Sequence, residues 1–295
     1  MQSLPWFFPL GPVLWSLAEP PFTFSWQGNR HDPYMAFINL SNHIYAQTRQ
    51  KITPMETTNS VEIVRTGNGW LCAEKPSGMS VHNHPGSDLL CVLERQIRAD
   101  EDLMVALGAQ EGFQIHPVHR LDQETSGLIL VATDPDRLRY LSNLFQQGAV
   151  QKHYIALVHG NFDPPCDPFQ VWDTPLSKQA GGRTDPRGKG KRVRSETRYR
   201  IMDQSPHYTL LEIELVTGRK HQIRRHAKLA GHPVTGDTRY GSKRSVEFLR
   251  ENHAYDRLGL HSFKIEFILD TVPVIITSRQ IPRQMTALLD QDRPK

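Results

Sequence analysis

Residues 116 to 132 read His-Pro-Val-His-Arg-Leu-Asp-Gln-Glu-Thr-Ser-Gly-Leu-Ile-Leu-Val-Ala. The apolar run Leu128 to Ala132 predicts a buried strand. Ahead of it His119, Arg120, Asp122, Glu124, Thr125 and Ser126 crowd into a loop that ends at Gly127. A polar loop that feeds a core strand can hold a reactive carboxylate, and Asp122 is the candidate. Two readings of Asp122 stand side by side. It could close an Asx-turn or cap within the loop. Alternatively, Arg120, or Arg219 from another strand end, could keep it ionised, and an ionised, oriented aspartate can act as nucleophile or base.

The flanking sequence alternates between strand and helix signals. Upstream, Val61 to Val64 and Trp70 to Ala73 predict short strands around a Thr-Gly-Asn-Gly turn. Pro76 and Gly78 then force a turn that leaves Lys75 at the strand's mouth. Ser87 is the expected cap of a helix over 88–99. Downstream, Asp134-Pro135 predicts a helix start, with Leu138, Leu141, Leu144 and Phe145 at helical spacing and Gly148 at its end. Lys152 to Val158 predicts a strand, with Tyr154, Ala156 and Val158 on one face and His153, Ile155 and Leu157 on the other. Leu211 to Leu215 alternates as a half-buried strand. A helix from His221 to Ala230 follows, stopped by Gly231 and Pro233. Leu260 to Phe267 and Val274 to Ile276 are further strands. Strands outnumber helices and lack regular crossover helices. The expected fold is therefore α+β, with a mixed, largely antiparallel central sheet and flanking helices.

Composition sets outer limits. The chain has 295 residues, 38% hydrophobic and 22% charged, which suits a soluble globular protein with a substantial core. Its three cysteines, Cys72, Cys91 and Cys166, are scattered, so neither a disulfide framework nor a cysteine zinc site is indicated. A reducing, cytoplasmic setting fits. Residues 1–57 differ from the rest. The apolar stretch Leu4 to Leu17 carries Pro5, Pro9 and Pro12, and is shorter than the ~20 residues of a membrane span. No lysine or arginine precedes it, which argues against a secretory signal. We expect a poorly ordered extension there, with Met55 as an alternative start, then one domain over 58–288 and a tail over 289–295. An irregular, partly mobile basic insertion is expected near 160–200.

Charge is unevenly spread. From Arg183 to Lys228 there are thirteen Lys/Arg against five Asp/Glu, a net of +8 in a chain whose total is +4. Such a concentration suits a polyanion such as nucleic acid, although a solvated basic face would have the same composition. The helix expected from His221 follows Arg219 and Lys220. Cations at a helix N-terminus cost about 0.3–1 kcal/mol each. Arg219 is therefore better explained as meeting an anion than as serving helix stability.

Other chemistries find little support. The pairs His82/His84 and His116/His119 lack the helical His-Glu-x-x-His spacing or a cysteine partner, so no metal is expected. Ser126 precedes its strand, whereas a nucleophile elbow follows one. No Walker loop or dinucleotide fingerprint occurs, so no cofactor is expected. A retaining glycosidase needs two carboxylates flanking a sugar bond. Glu124 is the only near partner for Asp122, and the basic surface disfavours that reading.

The loop His119-Arg120-Leu121-Asp122-Gln123-Glu124-Thr125-Ser126-Gly127 resembles the signature of the RluA-type RNA pseudouridine synthases. Further motifs resemble that family in its own order: Lys75-Pro76-Ser77-Gly78 through Val81-His82, Lys152-His153-Tyr154, Thr217-Gly218-Arg219-Lys220-His221-Gln222-Ile223-Arg224, and His232-Pro233 through Gly236-Asp237 and Tyr240-Gly241. Leu260-His261-Ser262 is similar to its Leu-His-Ala strand. The resemblance covers about 60 to 285.

The resemblance implies roles. Asp122 matches the catalytic aspartate that attacks the target uridine. Tyr154 matches the aromatic that packs on the uracil, and is a candidate acceptor of the C5 proton. Arg219 matches the arginine paired with the aspartate, and Arg120 the residue that fills the space of the flipped nucleotide. Lys75, Lys152, Arg224, Arg225 and Lys228 are candidate RNA contacts, more apt to meet backbone than bases. Tyr154 could equally be core, and Lys75 and Lys152 solvated surface. The implied partner is RNA, either rRNA or tRNA, with no cofactor, no membrane and no obligatory protein partner, the chain acting as a monomer. The segment before residue 60 does not resemble the small S4 domain of many family members. Recognition would then fall to the catalytic domain and to the basic insertion near 183–200. The helix from Arg224 to Lys228 with its Gly-Asp-Thr-Arg-Tyr-Gly sequel resembles the tRNA-acting branch. An RNA-binding or RNA-chaperone protein with dispensable catalysis is the alternative from another functional class.

Overall fold

The β4 strand, Ser126–Ala132, is buried along its whole length. Ile129 and Val131 enter one hydrophobic cluster, whereas Leu128, Leu130 and Ala132 enter another on the opposite face. A strand covered on both faces reads as a continuous apolar run because neither face can be polar. Each such aliphatic side chain contributes about 1.5–3 kcal/mol by leaving water.

A computed structural model describes residues 60–162 and 169–294. The expected extension over 1–57 lies outside the described residues. Around β4 forms a ten-stranded sheet in the order β1-β2-β4-β11-β5-β10-β9-β6, with β12 on β11 and β3 on β4. Its strands are β1 (Glu62–Gly67), β2 (Trp70–Lys75), β3 (His116–Pro117), β5 (Gln151–His159), β6 (Gln170–Trp172), β9 (Thr197–Gln204), β10 (Tyr208–Leu215), β11 (Leu260–Leu269) and β12 (Val272–Thr277). A separate pair joins β7 (Leu176–Ser177) to β8 (Arg192–Val193). Every pairing in the large sheet is antiparallel except β4 with β11. The fold is thus α+β with a mixed, largely antiparallel sheet, as expected.

The one parallel pairing sits beside the Asp122 loop. It sets Ser126 against His261 and Gly127 against Ser262. Gly127 has φ 107°, and a Cβ there would come within 2.3 Å of the Ser262 carbonyl oxygen. Only glycine tolerates both the conformation and the approach.

Six helices lie among the described residues: α1 (Leu89–Arg98), α2 (Glu101–Leu107), α3 (Pro135–Gln147), α4 (Gln222–Leu229), α5 (Lys243–His253) and α6 (Arg283–Gln291). Helices α1 and α2 cover one face of β2 and β4, and α3 covers the other. Helices α5 and α6 pack on Ile155 and Leu157 of β5, opposite Tyr154, Ala156 and Val158. The alternation expected in β5 is therefore observed, with both faces buried.

Four local expectations need correction. Asp88, not Ser87, caps α1: its side chain accepts from the Cys91 amide, because the chain extends at Asp88 and not before it. Strand β10 is buried on both faces. Glu212 is only 3% exposed; Arg200 pairs with its carboxylate from one neighbouring strand, and His153 of the other lies 3.4 Å from it. The basic insertion is not irregular throughout; it contains β6, β7 and β8, although residues 163–168 lie outside the described residues. Finally, the expected tail from 289 begins later, since Leu288 and Leu289 of α6 are buried.

Candidate active site

Asp122 lies on the wall of a cleft of about 550 Å³. The walls are residues 120–125, residues 218–224 and residues 80–83, with Tyr154 of β5 and Leu260 of β11 at the base. The Thr125 amide donates to the Asp122 carbonyl at 3.1 Å, so the Asp122 backbone does close a turn. Its carboxylate takes no part in that turn and borders the cleft.

The loop is clamped from beneath by the turn after β2. Lys75 is wholly buried, and its Nζ donates to the carbonyls of Pro76, Met79 and Gln123 at 2.8–2.9 Å. Ser77 Oγ donates to the Glu124 carbonyl at 2.7 Å, and the Gly78 amide to that of Gln123 at 3.0 Å. Burial lowers the Lys75 ammonium to about 8, although Glu124 and Asp122 pull it upward. Lys75 therefore ties two loops together and has no donor left for a ligand.

Arg224, on α4, holds the carboxylates of the site. It is 1% exposed, and its Nε and Nη2 donate to the two Asp237 oxygens at 2.8 Å each. Its Nη1 lies 3.5 Å from Asp122 Oδ2 and 3.3 Å from Glu124 Oε2. Burial alone would lower the pKa of Arg224, but Asp237, Glu124 and Asp122 together raise it. The arginine is thus a fixed cation. Asp237 is itself fixed by the amides of Arg239 and Tyr240, both 2.9 Å from Oδ1.

His221 precedes α4 in the left-handed region, at φ 55° and ψ 27°. For a residue with a Cβ this costs about 1–2 kcal/mol. Its Nε2 lies 3.5 Å from Asp122 Oδ1, and its Nδ1 lies 2.9 Å from the Tyr240 hydroxyl. Burial, reinforced by Arg224, Arg239 and Lys220 against the opposing pull of Asp122, lowers the His221 pKa. Tyr154 is 7% exposed, and burial and the Asp122 charge raise its phenol well above the usual range. The site thus presents an aspartate approached at one oxygen by Arg224 and at the other by His221, in the same cleft as a phenol whose pKa is raised.

The predicted residues separate into distinct groups. Asp122, Tyr154, Arg120 and Arg219 line the one cleft. Arg219 is exposed on the rim, however, and the arginine that reaches Asp122 is Arg224. The cause is geometric: the left-handed turn at His221 starts the helix so that Arg224 faces inward. Arg224 and Lys75, both buried, do not belong to the exposed surface on which RNA contacts were expected. Nor does Arg225, which is fully buried and donates to the carbonyls of Pro186, Ser177, Lys220 and Arg187. Lys152 is half-buried, 5.8 Å from the Phe145 ring centre, and Lys228 is half-buried on α4. Glu124, His221, Asp237 and Tyr240 were assigned no role from sequence, although the quoted motifs contain all four. The four histidines do not converge: His82 and His84 are exposed, whereas His119 stacks on Phe145 and accepts from the Leu130 amide. Among the described residues, no group of three or more His, Cys, Asp or Glu side chains is placed to hold a metal ion.

The basic loop between β7 and β8 borders the same region. Arg183 donates to the carbonyls of Gly241 and Thr238, and Arg239 to those of Ala180 and Gly181. With Arg225, these arginines fasten the loop to the segment that carries Asp237 and Tyr240. Lys178, Arg187, Lys189, Lys191 and Arg192 remain exposed on it.

Comparison with known proteins agrees with this arrangement. A family model described as RNA pseudouridylate synthase matches residues 69–229. The ribosomal large subunit pseudouridine synthase C of Vibrio cholerae is 37% identical over 209 residues, covering 70% of this chain and 61% of that protein. The protein of the same name from Yersinia pestis is 38% identical over 201 residues, covering 67% and 58% respectively. The chain thus spans about three fifths of the length of these curated relatives. Among solved structures, human RNA pseudouridylate synthase domain containing 1 matches with a TM-score of 0.59 at 22% identity, over 77% of this chain and 86% of that one. Human RNA pseudouridylate synthase domain containing 4 matches with a TM-score of 0.58 at 21% identity, over 88% and 97%. At these identities the structural matches establish the fold.

Proposed function

The chain belongs to the RNA pseudouridylate synthase family, of the RluA type, and from that premise we propose that it isomerises uridine to pseudouridine in ribosomal RNA. Asp122 is the nucleophile in this reading. The observation that carries it is the placement of the Asp122 carboxylate at the cleft wall, with Arg224 and His221 each 3.5 Å away and Tyr154 in the same cleft. An aspartate flanked in this way is held aimed into the cleft. It attacks the nucleotide as the bond between uracil N1 and the ribose breaks. The uracil then turns and bonds to the ribose through C5 while the bond to Asp122 breaks and the free carboxylate returns; the C5 proton leaves and N1 gains one, so the product is an isomer. No redox partner is required.

The raised phenol of Tyr154 refines its role. A phenol that stays protonated at neutral pH suits packing on the base better than taking the C5 proton. The target base must leave its stack, at a cost of a few kcal/mol. Arg120, exposed and lining the cleft, would fill the gap in this reading. Arg219 and Lys220 at the rim, and the exposed cations of the β7–β8 loop, would hold the flanking phosphates. The names of the relatives favour ribosomal RNA over tRNA.

Tritium release from [5-³H]uridine-labelled rRNA and tRNA, with wild-type and Asp122→Asn protein, tests this reading. Release from rRNA by the wild type alone is expected, with RNA affinity retained in the variant. Equal release by both proteins would remove Asp122 from the chemistry. No release by either, with RNA binding intact, would favour the RNA-binding alternative.

A further inference from the structure

We infer that His221, set by Tyr240, is a positioning residue for Asp122: its ring donates from Nε2 to Asp122 Oδ1 and accepts at Nδ1 from the Tyr240 hydroxyl. The inference rests on the reading of Asp122 given above. It starts from an oddity of the backbone. His221 takes a left-handed conformation at the head of α4, yet its side chain makes no capping bond to the helix. The conformation therefore does not serve the cap. It turns the ring into the cleft, where only 10% of the side chain is exposed.

The direction of each hydrogen bond follows from the partners. An ionised Asp122 can only accept, so Nε2 must carry the hydrogen. Arg224, Arg239 and Lys220 all act against a charge on this ring, and Asp122 is the one group acting for it. In a neutral ring Nδ1 is then an acceptor, and Tyr240, 2.9 Å away, has the hydroxyl hydrogen to fill it. Tyr240 is fully buried, with the Arg239 guanidinium 5.8 Å from its ring centre. The chain Tyr240 to His221 to Asp122 thus has one consistent polarity. Asp122 thus faces Arg224 at Oδ2 and His221 at Oδ1, each 3.5 Å away, so a donor stands at each edge of its carboxylate.

Two substitutions separate positioning from folding. Asn tolerates the left-handed backbone but ends one bond short of the Nε2 position, whereas Gln places an amide N–H there. His221→Asn should lower kcat for pseudouridine formation roughly ten- to hundredfold, the scale of one hydrogen bond to a charged group, with KM for RNA nearly unchanged. His221→Gln should recover much of that loss, despite its poorer fit to the backbone. Gln no more active than Asn, or a loss carried by KM, would overturn the proposal.

A second measurement needs no turnover. Long-range ¹H–¹⁵N spectra of the histidine-labelled protein at pH 7.5 should show His221 as the neutral Nε2–H tautomer, and Tyr240→Phe should mix the two tautomers. A wild-type ring that is protonated, or that carries its hydrogen on Nδ1, would refute the inference even if the enzyme proves inactive. Inactivity of wild type with the expected tautomer would instead count against the assigned reaction while leaving the arrangement in place.

Discussion

Arg224 and Asp237 form a two-pronged ion pair at 2.8 Å inside the protein, and the nitrogen left over points toward Asp122. A buried pair of this kind stabilises little in itself, but a partner left alone is costly. Asp237→Asn should therefore lower the unfolding free energy by about 3–5 kcal/mol, read from urea denaturation. It should also reduce kcat, because Arg224 would be free to swing onto Asp122 or Glu124. A change below about 1 kcal/mol would mean that solvent reaches the pair.

Gly127 makes a sharper test of the backbone. Its φ of 107° and the close approach of the Ser262 carbonyl leave no room for a methyl group. Gly127→Ala should cost at least about 2 kcal/mol and lower Tm, since either the β4–β11 pairing or the loop must shift. An unchanged Tm would show that the sheet opens there without difficulty.

Glu74 gives a pH signature. Burial raises its pKa to about 7, with Glu62 adding to the rise and Ser278 and Arg257 opposing it. A carboxyl raised in the folded state holds its proton there after the unfolded chain has lost it. Its contribution is complete below the unfolded value of 4.5 and is lost as pH rises through about 7. Wild-type stability should thus fall across that window by an amount on the order of 2–3 kcal/mol attributable to this group. Glu74→Gln should flatten the slope and be the more stable protein at pH 8. Parallel pH profiles for the two proteins would rule this out.

The exposed cations of the β7–β8 loop predict an ionic-strength effect. Replacing Lys189, Lys191 and Arg192 together with Ala should weaken RNA binding and reduce the slope of log Kd against log salt by about 2–3. Single-turnover rate at saturating RNA and Tm should be unchanged, since all three side chains are exposed. An unaltered salt slope would place the RNA elsewhere.

Much of this arrangement was legible in the sequence, and the misses share a cause. Strand β4 and helix α3 announced themselves by local signals: an apolar run ending at Gly127, and Asp134-Pro135 answered by Gly148. The position of Asp122 followed from its loop. What local signals could not give is the direction of a side chain across the fold. The macrodipole argument singled out Arg219 as out of place, yet the turn at His221 decides that Arg224 points inward. Glu212 looked like a solvent-facing residue because Arg200, which pairs with it, lies on another strand. Lys75 and Arg225 looked like surface cations because each is absorbed in part by a carbonyl 48 residues away, Gln123 and Ser177 respectively. Short α2 and terminal α6 escaped detection because their apolar spacing spans too few turns to stand out.

The arginines that fasten the β7–β8 loop bear on how such proteins could be re-engineered. Arg225 leaves the same helix as Arg224, and Arg239 lies between Asp237 and Tyr240. The loop is therefore not a detachable module. Transplanting it into a relative, to redirect which RNA is gripped, would have to carry Arg225, Arg239 and the carbonyls they meet. A graft that left them behind would lose its anchorage and would also disturb the frame around Asp122.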